Sequence, residues 1–142
     1  MTILQTTPDK AKELLDKDGT ARYLDVRSVP ELELGHAAGA INIPIAHWDD
    51  KSSRMITNPD FAKVAQAVLP KEALLVVGCK SGGRSQAACE VMEKIGYQHL
   101  HNIQGGFGGS QDQKGWRDLG LPVSTENGEG VSYESLVKTS KK

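Results

Sequence analysis

The sequence predicts one α/β domain with a mainly parallel central sheet flanked by helices on both faces. Short apolar runs alternate with segments of helical periodicity, in the order strand, helix, strand, helix, which argues for parallel strands joined by crossovers. The run Ala73-Leu74-Leu75-Val76-Val77 has no apolar/polar alternation, as a strand covered on both faces requires. At 142 residues the chain has the length of a single ordinary domain and can bury enough surface to hold a core without disulfides or a structural metal.

Taken in order, Thr7-Pro8 supplies a cap and a first-turn proline, Leu14 and Leu15 an apolar face and Gly19 a stop, so a helix is expected over residues 8–18. Arg22-Tyr23-Leu24-Asp25-Val26 reads as a buried strand. Ser28 and Glu31 have the spacing of a capping box and open one short helical turn ending near Gly35. Ala40-Ile41-Asn42-Ile43 is the next strand, closed by Pro44, and residues 46–57 read as a polar loop. Asn58-Pro59 caps a helix whose Phe61, Val64, Ala65 and Val68 share a face. Beyond the strand at 73–77, the helix that follows Ser85 carries Ala88, Val91, Met92 and Ile95 as its apolar stripe and ends at Gly96. Leu100 to Ile103 gives a further strand, Gly105 to Gly109 a flexible loop, and Ser110 to Leu119 a last helix.

The main domain is expected over residues 1–122, with 123–142 as a C-terminal extension. Residues 124–130 read as a linker, and Tyr133, Leu136 and Val137 are spaced for one short amphipathic helix. Docking of that helix on the body is favoured over disorder, although a turn or two of isolated helix is unstable in water.

Composition excludes several classes of function. Hydrophobic residues at 38% and charged residues at 25% are those of a globular chain, not a disordered one. Seventeen Lys and Arg against eighteen Asp and Glu leave no basic field to draw in nucleic acid or an anionic membrane, so any anion site must be local. Apolar stretches fall far short of the roughly 20 residues of a membrane span. The opening residues, Met1 to Thr6, lack the charged and apolar regions of a signal peptide, and a cytoplasmic location is expected. Two cysteines, Cys79 and Cys89, are too few for a disulfide framework and miss zinc-site spacing. Neither a metal nor a cofactor is expected; His99 and His101 lie at alternate strand positions with no third ligand placed by sequence.

The segment Gly78-Cys79-Lys80-Ser81-Gly82-Gly83-Arg84-Ser85 carries the chemistry. It puts a cysteine at the carboxyl end of a covered strand and at the start of a helix, where open α/β sheets bind ligands. Unpaired first-turn N–H groups and the helix dipole favour a thiolate or a bound anion there. Cys79 is therefore the candidate nucleophile. Gly82 and Gly83 let the backbone curl around the sulfur with its amides turned inward. Lys80 and Arg84 add positive charge at the rim, and Ser81 and Ser85 offer hydroxyl donors. Cys89, on the following helix beside Ala88 and Met92, is expected in the core, and His36 is expected to hold a turn by hydrogen bonding.

Four segments, Tyr23-Leu24-Asp25-Val26-Arg27, Gly35 to Pro44, the Cys79–Ser85 loop and Gly105-Gly106-Phe107, resemble the single-domain rhodaneses, the thiosulfate and persulfide sulfurtransferases. The resemblance implies a rhodanese fold and a Cys79 persulfide formed by attack on a sulfane sulfur. The sulfur would come from a small donor, thiosulfate or a persulfide, and pass to cyanide or to a thiol acceptor such as a protein. It also places Asp25, Arg27 and Phe107 at the pocket border, Asp25 and Arg27 chiefly as structural residues. Arg84 or Lys80 would meet the sulfonate charge of thiosulfate. Similar cradles in phosphatases and arsenate reductases enclose one residue more than the four between Cys79 and Arg84, and a shorter ring of amides suits one sulfur better than a phosphoryl group. A non-catalytic partner-binding module is the other alternative. The chain departs from many relatives at Ser110, where they carry a tryptophan; Trp116 follows only after residues 111–115.

Overall fold

The computed structural model describes residues 3–141; Met1 and Thr2 of the signal-peptide reading, and Lys142, lie outside them. In chain order the elements are β1 (Ile3–Thr6), α1 (Pro8–Lys17), β2 (Arg22–Asp25), α2 (Val29–Glu33), β3 (His36–Ala37), β4 (Ile41–Asn42), β5 (Ala46–Asp49), β6 (Arg54–Thr57), α3 (Phe61–Val68), β7 (Leu74–Gly78), α4 (Gly83–Lys94), β8 (His99–Ile103), β9 (Val123–Ser124) and α5 (Tyr133–Ser140). Five strands form one sheet in the order β1-β8-β7-β2-β4, with every pairing parallel.

Side-chain alternation divides the core between the two faces. Leu75 and Val77 of β7, Leu24 of β2 and Leu100 of β8 point into a cluster closed by Phe61 and Val64 of α3 and Ala88 and Met92 of α4. Their neighbours Val76, Tyr23 and Ile103 point the other way, toward Ala11 of α1 and Trp116. Because β7 is the middle strand, both faces of its apolar run are buried, which is why the run needs no polar alternation. Each fully buried aliphatic side chain in these clusters contributes about 1.5–3 kcal/mol relative to exposure.

Several elements differ from the sequence expectation, each for a local reason. Ile3–Thr6 is an edge strand against β8, a pairing too short and too distant in sequence to leave a periodic signal. Residues 46–57 are not a loop but the antiparallel hairpin β5–β6, whose turn puts Ser53 at positive φ. Its strand residues are largely exposed, so no core pattern marks them. Ser110 to Leu119 does not form a helix. The chain turns back on the preceding loop, Trp116 N donating to Gly106 O at 2.8 Å and Arg117 N to Phe107 O at 3.1 Å. Gly115 permits this closeness, since a Cβ there would lie 2.3 Å from Gly109 N. On α4, Val91 is 36% exposed and Cys89, fully buried, takes its place in the stripe.

Residues 123–141 fold onto the body. Leu136 of α5 enters the larger core cluster, Asn58 Nδ2 donates to Tyr133 Oη at 3.1 Å, and β9 pairs with β3. At the sheet edge Asn42 N donates to Val131 O at 2.9 Å, giving β4 a partner on its open side. His36 does more than hold a turn. Its Nδ1 lies 2.9 Å from Ala37 O, and its Nε2 lies 2.6 Å from Glu126 O in the tail. Among the described residues, no helix is long and apolar enough to cross a membrane.

Candidate active site

Cys79 immediately follows β7, and the chain then curls through Lys80, Ser81 and Gly82 into α4. Gly82 is the residue before the helix and has φ +127°, a conformation that L side chains rarely adopt. The curl brings Gly82 N to 3.1 Å from Cys79 Sγ, so a backbone amide at a helix amino terminus donates directly to the sulfur. Ser85 Oγ, on the first turn of α4, lies 3.5 Å from the same sulfur. Cys79 is only 1% exposed, which keeps these contacts out of competition with bulk water.

The glycine-rich segment after β8, expected to be flexible, is strapped to the back of this cradle. Phe107 N donates to Cys79 O at 2.8 Å, Gly108 N to Lys80 O at 2.8 Å and Gly105 N to Ser81 O at 3.1 Å. Gly106 sits so close that a Cβ on it would fall 2.3 Å from Cys79 O, at a φ of +48°. Three backbone hydrogen bonds between residues 24 to 28 positions apart thus join the two glycine loops.

Two ion pairs frame the site. Arg27 Nη2 and Nε reach Asp25 Oδ2 at 2.7 and 3.0 Å, and Nη2 also donates to Gly35 O at 2.8 Å. Both residues are buried, and the Arg27 guanidinium lies 4.5 Å from the Phe107 ring centroid. Asp25 and Arg27 thus bond to each other, and Arg27 holds the apolar wall in place. The second pair engages Arg84, expected at the rim of the loop. Its Nη1 and Nη2 meet Glu31 Oε1 and Oε2 at 2.6 and 2.9 Å in a two-pronged salt bridge. Burial pushes the Glu31 carboxyl up, but hydrogen bonds from Arg84 and Ser28 outweigh it and hold the pKa at about 2. In this arrangement the Arg84 charge faces Glu31 across the mouth of the loop.

A cleft of about 200 Å³ lies beside the cradle, lined by Arg27, Glu31, Leu34, Lys80, Phe107 and Arg117 among others. Lys80 and Arg117 are the two lining cations outside any ion pair among the described residues. Leu34, at the mouth, is 88% exposed. Of the remaining loop residues, Ser81 and Gly82 line a separate polar cavity with Gln5, Gln86 and Asn102, and Gly83 is the exposed first residue of α4. Glu31, Asn102 and Arg117 were missed because each meets the cradle only through the fold. The one local signal was the Ser28–Glu31 capping box, which hid the second use of Glu31.

Cys89 is a contrasting thiol. It is fully buried on α4, and burial pushes its pKa up to about 12. Both cysteines are free. Among the described residues no group of three or more His, Cys, Asp or Glu is arranged to hold a metal ion.

The family model described as Rhodanese-like domain matches residues 7–113. Thiosulfate sulfurtransferase 16, chloroplastic, of Arabidopsis thaliana is 38% identical over 102 residues, covering 72% of this chain and 78% of that protein. The crystal structure of Rv0390 from M. tuberculosis superposes with a TM-score of 0.72 at 25% identity, over 86% of this chain and 97% of that one. A structure described as rhodanese with anions, from E. coli, does so with a TM-score of 0.51 at 26% identity, over 75% and 99% of the two chains.

Proposed function

The chain belongs to the rhodanese-like family, a family with sulfurtransferase members, and from that premise we propose that it is a sulfurtransferase that carries a sulfane sulfur on Cys79. The observation that carries this reading is the Gly82 amide at 3.1 Å from Cys79 Sγ, at the amino terminus of α4. A donor fixed in that position stabilises negative charge on the sulfur before and after transfer. In the first half-reaction the Cys79 thiolate attacks the outer sulfur of thiosulfate. The new S–S bond forms as the old one breaks, and sulfite leaves with the bonding pair. In the second, cyanide or a thiolate acceptor attacks the outer sulfur of the persulfide, and the Cys79 thiolate is regenerated with the pair of the broken S–S bond. A small or protein persulfide presents the same electrophilic sulfur and serves equally as donor.

Two features support sulfur over phosphoryl or arsenate chemistry. The loop encloses four residues between Cys79 and Arg84, and Arg84 is bound to Glu31 instead of being free for an oxyanion. Lys80 and Arg117, which line the cleft, would receive the sulfonate of a thiosulfate donor there. The test is intact-mass spectrometry of the reduced protein before and after incubation with thiosulfate. The expected result is a gain of one sulfur atom, removed by cyanide, kept in Cys89→Ser and absent from Cys79→Ser. No gain with either thiosulfate or polysulfide overturns the proposal in favour of a partner-binding module.

A further inference from the structure

A chain of side-chain hydrogen bonds leads from Cys79 through β8 and β1 to the surface. Ser85 Oγ lies beside the sulfur and bonds Asn102 Oδ1 on β8. Asn102 Nδ2 donates to Gln5 Oε1 of β1 at 2.9 Å, and Gln5 Nε2 donates to Gln86 Oε1 of α4 at 2.7 Å. Gln86 Nε2 then donates to Glu90 Oε2 at 3.2 Å. A carboxylate only accepts, and a primary amide has one accepting and one donating end. Glu90 therefore sets the direction of every link. Gln86 gives its nitrogen to Glu90 and its oxygen to Gln5, Gln5 gives its oxygen to Asn102, and Asn102 gives its oxygen to Ser85. The single hydroxyl proton of Ser85 points to Asn102, with Gly82 O at 3.0 Å as its alternative, and the serine turns a lone pair toward Cys79.

Asn102 is 3% exposed and shares a strand face with Leu100, which packs into the larger apolar cluster. An apolar side chain would be the ordinary occupant there, because a buried amide stabilises nothing unless both of its ends are bonded. Building on the reading that Cys79 is the nucleophile, we propose that Asn102 is a positioning residue: through Ser85 it sets the pH at which Cys79 becomes nucleophilic. A lone pair accepts the S–H of the thiol. Once that bond breaks and the proton passes to a solvent base, the sulfur keeps the Gly82 N–H as a donor and has the Ser85 O–H as its second. Ser85 supplies it only by turning its proton away from Asn102. Asn102 then regains a bond to Ser85 only by turning its amide over, and the reversal runs on through Gln5 and Gln86 until an amide oxygen faces Glu90. The chain thus holds back the thiolate.

Other charges around the sulfur are the Asp25–Arg27 pair at the end of β2, the Glu31–Arg84 pair between α2 and α4, and Lys80 in the loop itself. Tyr23 and Cys89 also interact electrostatically with Cys79. None of these is altered by the substitutions that follow.

The experiment is the pH dependence of Cys79 alkylation by iodoacetamide, with the label located by peptide mass spectrometry. In Asn102→Leu the Ser85 proton keeps only Gly82 O and the sulfur as acceptors, the turn toward sulfur no longer reverses the amide chain, and the alkylation midpoint is expected to fall by about 0.5–1 pH unit, up to the equivalent of one hydrogen bond. In a Ser85→Ala background the same substitution is expected to move nothing. A midpoint unchanged in Asn102→Leu, or a shift that persists without the Ser85 hydroxyl, overturns the proposal. If Asn102→Leu does not fold, Gln5→Leu at an exposed link frees the Asn102 amide to turn and must lower the midpoint in the same direction; no shift there overturns the proposal equally. Alkylation needs no sulfur donor, so the result stands apart from whether the chain takes up sulfur.

Discussion

Glu31 accepts from Ser28 N, Ser28 Oγ and Arg84 Nη1 through one oxygen and from Arg84 Nη2 through the other. One carboxylate thereby starts α2 and anchors the loop that holds Cys79. Its folded pKa of about 2 lies below the ordinary glutamate value of 4.5, so the stability it contributes is complete above the unfolded value and is lost as pH falls from about 4.5 toward 2. With the pair only partly shielded from solvent, the contribution is about 1–2 kcal/mol. Thermal melts should show Glu31→Gln less stable than the parent at pH 6, with the difference closing by pH 2; parallel curves across that range would count against the linkage. A second expectation concerns the cleft. Arg117→Ala should raise KM for thiosulfate about tenfold, the size of one charge-assisted contact, and change transfer from an uncharged persulfide far less. Equal loss with both donors would mean that Arg117 acts through Phe107 packing instead of charge. Cys79, Gly82 and Ser85 were legible in the sequence because the loop that joins them is contiguous. The Arg84–Glu31 pair is not legible there, because the two residues lie 53 positions apart and local spacing carries no record of that distance.

At the scale of elements, the strand–loop–helix unit at 74–94 could be read from sequence because it combines a doubly covered strand, two glycines and a helical stripe. The segment after β8 could not. Glycines at 105, 106, 108 and 109 suggest flexibility, whereas three backbone bonds to residues 79–81 make the segment a second wall of the cradle. The missing helix at 110–119 has the same origin: the chain uses its glycines to approach backbone, a need that propensity does not register. Gly106→Ala tests this account. Its Cβ would fall 2.3 Å from Cys79 O, a backbone atom that cannot swing aside. The substitution should cost about 3 kcal/mol or more in urea denaturation, because strain at positive φ adds to the clash. Sulfur uptake should fall with it, since the displaced atom belongs to the nucleophile's own residue. An alanine variant with unchanged stability would show that the two loops are not tightly coupled.

For the whole molecule, the parallel sheet and its helical layers are legible because continuous apolar runs alternate with segments of helical period. The relation of residues 123–141 to the body was less so, since its contacts join short pairings such as β3–β9 to scattered side chains. The tail reaches the site indirectly. His36 meets Glu126 O, Asn127 Nδ2 donates to Glu33 Oε2 at 3.0 Å, and Leu136 seals the core near α3. These contacts press on α2 and β3 from behind, and between those two elements lies Gly35, whose carbonyl accepts from Arg27. Leu136→Ala removes only the apolar anchor and should cost about 2–5 kcal/mol by transfer and cavity terms. Truncation after Pro122 removes that anchor together with the His36 and β4-edge bonds, and should cost at least as much. If the tail also steadies the cleft wall, the truncated chain, assayed at a temperature where circular dichroism shows it folded, should transfer sulfur more slowly than the Leu136→Ala variant. Equal rates in the two would confine the tail to stability, because both lack the anchor and only the truncation frees β3 and α2.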